Sequence, residues 1–398
     1  MRVIVVGAGF AGLAAADALY RAGVEVEVFE ARDRVGGRVW SVPFAGAVAE
    51  RGAEFILPHD KTVIAVAERL GLALVRKGTL YGAREPRGGV RSVSAAEVAA
   101  AMAQIGEGPP PVGGATVAEA LGASGLEPAV REAIIARLEV SCGYGADDLD
   151  AGALAEGAAA FGDFDTHTVQ GGNDRIARGL AAGLGGTVRL SAPVSRVSWH
   201  DGGVTVARGG WEAVADAAVI AVPASVVDAI GFDPPVPHEK GAVRYGQAAK
   251  LFVVLSRPAP PSQTLSVPER YWCYTQLGPD GDPVPFVAAF AGSPGAIEAL
   301  GVSDGPGRWV DSLRRLRPDL DLDPAGAVLS TWADDRWVRG AYSARSATLP
   351  IDTEALRRPV GPLFFAGEHT AGAWHGLMEG ALRSGERAAQ ELLQSSSR

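Results

Sequence analysis

The sequence has 398 residues, 47% of them hydrophobic, and a formal net charge of −9. That length exceeds one comfortable core, so two domains are expected, each able to enclose a cofactor-sized cavity. The acidic balance without a basic stripe excludes nucleic acid as a partner, and two distant cysteines, Cys142 and Cys273, outside any CxxC spacing, exclude a disulfide framework and a zinc site.

In chain order, the most informative stretch comes first. Val3 to Arg38 reads VIVVGAGFAGLAAADALYRAGVEVEVFEARDRVGGR: an apolar strand, three spaced glycines, an amphipathic helix, a second strand and an acid. This is a dinucleotide-binding βαβ pattern. Gly7 allows the tight turn, Gly9 lets the backbone approach a pyrophosphate, and Gly12 lets the helix pack closely on the strand. Glu30 ends the second strand where a carboxylate accepts both ribose hydroxyls and repels a 2′-phosphate. A helix is expected over Thr62 to Leu70. From about 75 to 165 the pattern becomes Ala-rich and helical, broken by a Pro/Gly loop from Gly106 to Gly114.

Gln170 to Asp174 then caps a helix running through Leu184. Strands are expected at Thr187 to Leu190, Val194 to Trp199, Val204 to Ala207 and Ala218 to Val222. Beyond about 240 come strands at Lys250 to Ser256 and Phe286 to Phe290, a Pro-rich loop at Pro258 to Pro261, and a helix near Trp309 to Leu316. No stretch reaches membrane-spanning length, and cleaving the N-terminus as a signal peptide would remove the glycines, so a soluble, cytoplasmic protein is expected.

Two arginines and a glycine pair follow the ribose acid, in Glu30-Ala31-Arg32-Asp33-Arg34-Val35-Gly36-Gly37-Arg38. The far end carries Leu363-Phe364-Phe365-Ala366-Gly367-Glu368-His369-Thr370, then Trp374-His375-Gly376-Leu377-Met378-Glu379-Gly380-Ala381 and Gly385. In these stretches the chain resembles the flavin-containing amine oxidases, and the resemblance extends over essentially its whole length. It implies an α/β fold in which a Rossmann-like FAD-binding domain of the glutathione-reductase type, residues 1–74, 170–239 and 335–398, is interleaved with an α+β substrate domain, residues 75–169 and 240–334. It implies further that Arg32, Gly37, Arg38, Val194, Trp332, Gly367, Glu368 and Met378 join Gly7, Gly9, Gly12 and Glu30 around noncovalent FAD. A helix starting near Met378 would aim its positive end at the flavin edge that gains charge on reduction.

Lys250 heads a nearly unbroken apolar strand, where an unpaired cation would be costly. In the family, a lysine here holds a water against flavin N5; the pattern alone also permits a strand-end lysine reaching solvent. Tyr342 matches an aromatic residue beside the flavin. Two departures stand out: Ala341 replaces the cysteine that monoamine oxidases bond to flavin, and Leu377 replaces the second tyrosine of an aromatic cage. Leu57 and Phe55 likewise replace a polyamine-binding glutamate and an amino-acid-binding arginine, which makes both substrate classes less expected. Phe55, Trp374 and Leu377 are the expected substrate pocket, with Phe55, Trp374 and Tyr342 also readable as core aromatics. His369 and His375 read as hydrogen-bonded structural residues and Glu54 as a solvated or salt-bridged carboxylate. The expected activity is hydride transfer from the carbon next to an amine nitrogen to FAD, giving an imine and, with O2, hydrogen peroxide. The alternatives are a desaturase or dehydrogenase acting on C–C bonds and a flavin-binding protein without oxidase turnover. The amine and the oligomeric state are left open.

Overall fold

A computed structural model describes residues 1–107, 113–155, 162–236 and 243–396. The apolar run after Met1 forms β1 (Arg2–Val6), the glycine turn leads into α1 (Phe10–Arg21), and the chain returns through β2 (Glu25–Phe29) parallel to β1. These strands sit in a five-stranded parallel sheet ordered Leu363–Phe365, Ala217–Ile220, β1, β2, Val188–Arg189. Chain order therefore reverses beside β1, between it and Ala217–Ile220. In open parallel sheets this is where a crevice opens for a ligand.

Both faces of this sheet are covered, which is why its strands read as continuous apolar runs and not as alternations. Val3, Val5, Val26 and Val28 pack against α1, the helix Asp174–Gly183 and the C-terminal helix Met378–Ser395. Ile4, Val6, Phe29, Ala218 and Ile220 pack against the antiparallel strands Arg196–His200, Gly203–Arg208 and Trp211–Ala215.

A second, six-stranded sheet is ordered Leu322–Thr331, Ala248–Leu255, Phe286–Gly292, Tyr271–Thr275, Ser262–Ser266, Glu85–Arg87. One face, with Phe252, Trp272, Tyr274 and Phe286, packs on the helices Ala95–Glu107, Val117–Ala123 and Pro128–Cys142. The other packs on Pro294–Ala299 and Gly307–Leu316. Lys250 shares strand parity with Phe252, and so projects from the first of these faces.

The expected helical character from residue 75 is wrong at its start. Leu74–Leu80 is a strand, paired antiparallel with Asp165–Val169. Its inward positions are Lys77 and Thr79, while Leu80 is exposed, so the polar residues occupy the buried face and hydrophobic periodicity points the wrong way. Four strands of the larger sheet were not expected: Glu85–Arg87, which falls in the stretch expected to be helical, Ser262–Ser266, Tyr271–Thr275 and Leu322–Thr331. Tyr271–Thr275 is buried on both faces and carries no alternation, and Leu322–Thr331 is a mostly exposed edge strand broken by Pro324 and Gly326. Within the expected loop from Gly106 to Gly114, Gly106 belongs to the helix Ala95–Glu107, and residues 108–112 lie outside the described residues. Among the described residues, no helix is long and apolar enough to cross a membrane.

Candidate active site

A cavity of about 780 Å³ runs from the β1–α1 turn to the face of the larger sheet. At its first end Gly7 adopts φ +104, and a Cβ there would lie 2.8 Å from the Ala221 carbonyl oxygen. Gly12 does not line the cavity. Its missing side chain lets α1 sit against the turn, since a Cβ would come 1.9 Å from the Gly7 oxygen. Gly9 caps α1 with no side-chain hydrogen bond, and the first turn carries no acid. The first N–H groups of α1 thus open on the cavity without a competing anion.

Glu30 is buried, and its oxygens accept the Ala8 N–H at 2.7 Å and the Arg32 N–H at 2.9 Å. Burial raises its pKa, against those two bonds and the nearby arginines. The Arg32 guanidinium is held by both oxygens of Asp335, at 2.7 and 2.6 Å. Arg38 donates to the Ala341 carbonyl at 2.9 Å and to Glu368 at 2.8 Å. Burial alone would push the Glu368 carboxyl up; Arg38, His369 and Ser343 reverse this and hold it at about 2. Glu368 also accepts the Gly376 N–H at 2.7 Å, tying the loop before the C-terminal helix to the strand end. Gly37, Val194, Trp332, Gly367 and Met378 all line the cavity, and Met378 begins a helix whose N-cap, Leu377, offers no side-chain bond.

At the other end stand Lys250, Tyr342, Phe55, Trp374 and Leu377. Leu377 is 45% exposed and faces the open space of the cavity. Lys250 does not reach solvent. It is 6% exposed and its ammonium donates to Glu54 Oε2 at 2.6 Å and to the Glu50 carbonyl at 2.8 Å. The salt-bridged reading of Glu54 holds, with a second cation that the sequence did not suggest: Lys77 reaches Glu54 Oε1 at 2.8 Å. Tyr274 donates to the same carboxylate. Burial would raise Glu54, but Lys250 and Lys77 prevail and hold it at about 2. Nearby Glu50, lacking a lysine of its own, is pushed up to about 7 by burial.

His375 lines the cavity and contacts Ser343 and Arg345 through its ring nitrogens, and His369 is buried outside it. Sequence reasoning also missed Arg84, a buried cavity-lining guanidinium 3.5 Å above the Trp272 ring and 4.7 Å from that of Tyr81. Lys77, Tyr274 and Arg84 have no sequence signal beyond polarity inside strand-like or irregular stretches. Only the fold brings them to Glu54 and Trp272.

The chain of donors fits a flavin dinucleotide: two uncapped helix starts, a glycine cradle and a ribose acid at one end, a fixed ammonium and aromatic rings at the other. Comparison with known proteins agrees. The family model for flavin containing amine oxidoreductase matches residues 10–112 and 132–393. AofH of Mycobacterium tuberculosis, assigned as a flavin-containing monoamine oxidase, is 32% identical over 98% of this chain and 96% of its own length. Putrescine oxidase of Kocuria rosea is 29% identical, over 98% and 95%. A solved wild-type putrescine oxidase with putrescine bound superposes with a TM-score of 0.83 at 26% identity, covering 99% of each chain. Sequence, fold and site together place this chain in the flavin-containing amine oxidoreductase family.

Proposed function

We propose that the family's FAD-dependent amine oxidation takes place in this chain at the Lys250–Tyr342 end of the cavity, with FAD bound noncovalently and O2 as electron acceptor. The observation that carries this reading is the Lys250 ammonium, fixed at 2.6 Å by Glu54 inside an aromatic-walled cavity.

The start of α1 and the Gly7–Gly9 turn would receive the pyrophosphate, Glu30 the ribose hydroxyls, and Arg38 with Glu368 the region between the two halves of the cofactor. Val194, Trp332 and Gly37 would flank it, with Arg32 held back by Asp335 as part of the wall. Ala341 carries no nucleophile, which supports a noncovalent attachment. We read residues 1–74, 170–239 and 335–398 as the cofactor domain and 75–169 with 240–334 as the substrate domain. Bound FAD supplies a hydride acceptor for the C–H next to nitrogen and a route for two electrons to O2. Lys250 would hold a water at its ammonium and present positive charge where oxygen is reduced. Two lysines against one carboxylate also disfavour an ammonium nearby, so the substrate would sit as the neutral amine that hydride transfer requires. Tyr342, Trp374, Phe55 and Leu377 would orient it and keep water out.

Family membership points away from C–C desaturation. The relatives' names differ in substrate, from putrescine to polyamines, which supports an amine as the class. The test is peroxide release by the flavin-loaded enzyme on an amine panel, together with anaerobic flavin bleaching. One amine should bleach the flavin and yield one peroxide per amine consumed. No bleaching by any amine would overturn the reading, and bleaching without peroxide would remove O2 as acceptor.

A further inference from the structure

We infer that the amine oxidised in this cavity carries a carboxylate, and that Arg84 is the residue that receives it. The inference rests on the amine-oxidising reading above and names the substrate class.

Arg84 is 3% exposed. Its guanidinium lies flat enough on Trp272 to sit 3.5 Å from the ring centroid, with Tyr81 at 4.7 Å, and all three residues line the cavity. Its side-chain hydrogen bonds are one with Tyr81 and a long one, 3.4 Å, from Nη1 to Ser141 Oγ, and its Nε has no acceptor. Among the described residues no carboxylate pairs with it. Three other buried cations do have one: Lys77 and Lys250 share Glu54, and Arg317 holds Asp319 at 2.7 Å. A guanidinium in a dry site without an anion is costly unless a ligand completes it, and its planar fork matches a carboxylate. Burial lowers its pKa to about 10, which leaves it charged at neutral pH.

The location suits the reaction. Ser141, which meets Arg84 through its hydroxyl, accepts the Tyr342 hydroxyl through its carbonyl at 2.9 Å. Trp272 stacks on Tyr274 at 4.5 Å between centroids, and Tyr274 donates to the carboxylate that holds Lys250. An amine presented between Tyr342 and Lys250 shares its cavity with Arg84, and Phe55 packs on the Trp272 ring that Arg84 covers.

The lining acids point the same way. They are Glu30, Glu54, Asp60 and Glu368. Glu30 accepts two backbone N–H groups, Glu54 two lysines and a tyrosine, Glu368 an arginine, a serine and a backbone N–H, and Asp60 is turned to the Leu57 N–H. A second ammonium, as in a diamine, would face cations around Glu54, and of the lining acids only Asp60, with a single backbone N–H, is left without a cation; an acid group meets Arg84.

The experiment compares matched pairs on the flavin-loaded enzyme under anaerobic conditions: phenylalanine with 2-phenylethylamine, tryptophan with tryptamine, 4-aminobutyrate with butylamine. At least one acid-bearing member should bleach the flavin with a second-order rate constant for flavin reduction (kred/Kd) on the order of 10²-fold above its partner, the size of a charge-assisted pair. That preference should fall to about one in Arg84→Met and return in part in Arg84→Lys. Benzoate, which cannot be oxidised, should raise the Tm of the wild type and leave that of Arg84→Met unmoved. If Arg84→Met does not fold, the wild-type preferences and Arg84→Lys decide alone. Preference for the decarboxylated member in every pair overturns the inference while leaving amine oxidation standing, and so does a preference that survives Arg84→Met. Benzoate bound through Arg84 with no bleaching by any amine or amino acid overturns the oxidase reading and leaves the carboxylate site in place.

Discussion

Glu50 and Glu54 are four residues apart, both buried, yet the fold gives them opposite electrostatic roles. Glu54 is held at about 2, so its contribution to stability is full above the ordinary carboxylate pKa of 4.5 and is lost as pH falls from there toward 2. Glu50 is raised to about 7, so its favourable neutral state is full below 4.5 and is lost as pH rises through 7. Replacing Glu54 with Gln should therefore lower Tm strongly at pH 7, with a gap from wild type that narrows below pH 4.5. Glu50→Gln should match wild type near pH 4 and exceed it at pH 8, each effect at most on the order of 3 kcal/mol. Thermal melts from pH 3 to 8 decide, and parallel curves would mean that neither carboxyl is perturbed. Lys250→Met still leaves Glu54 one lysine, Lys77. It should slow oxidation of the reduced enzyme by O2 on the order of 10- to 10³-fold and anaerobic reduction by amine much less. Stopped-flow rates for the two half-reactions check this, and equal effects would make Lys250 a structural ion-pair partner only.

At the level of elements, the site depends on where two helices begin, and that is fixed by close packing directly behind the cavity wall. α1 crosses the C-terminal helix at Gly385, where a Cβ would lie 2.1 Å from the Ala11 carbonyl oxygen and 2.9 Å from the Ala14 Cβ. Gly385→Ala should force the helices apart and cost roughly 1–3 kcal/mol, the price of overpacking, with weakened FAD retention because both helix starts move. The control is Gly122→Ala on the exposed side of the helix Val117–Ala123, where a Cβ meets nothing within 4 Å. That change should stabilise by about 0.5–1 kcal/mol. Equal Tm shifts in the two variants would contradict the packing argument. These same glycines explain what was legible from sequence. Gly7, Gly12 and Gly385 leave a spaced pattern because only the absence of a side chain satisfies the geometry, so the cofactor-side elements could be placed. Lys77 and Arg84 could not, because their positions depend on which strand faces which sheet. A polar residue on the inner face of Leu74–Leu80 looks, in one dimension, like a solvated one. Phe55 was read as replacing a carboxylate-binding arginine; the guanidinium proposed for that role, Arg84, comes from a different segment and lies on the same ring cluster as Phe55.

Across the whole molecule, the N- and C-terminal segments are joined by charge pairs that also frame the cavity. Arg32 meets Asp335 at 2.6 Å and Arg38 meets Glu368 at 2.8 Å, over sequence separations of 303 and 330 residues. Cofactor binding and closure of the chain on itself are therefore linked. Since FAD binds the folded state, adding it at a hundredfold excess over Kd should stabilise the apoprotein by about 2.7 kcal/mol. Because Ala341 carries no nucleophile, mild acid or heat should release the flavin intact, and flavin that stays with the denatured chain would refute noncovalent binding. Arg38→Gln separates the two contributions. It strands a Glu368 carboxylate whose low pKa depends on that guanidinium, so the apoprotein should lose stability, by up to roughly 3–5 kcal/mol where a buried pair is broken. If Arg38 also meets the cofactor, the gain on adding FAD must shrink in the variant as well. A lower apo Tm with an undiminished FAD increment would make Arg38 a brace between the chain ends and nothing more. An unchanged apo Tm with a smaller increment would make it a cofactor ligand whose pairing with Glu368 contributes little to the fold.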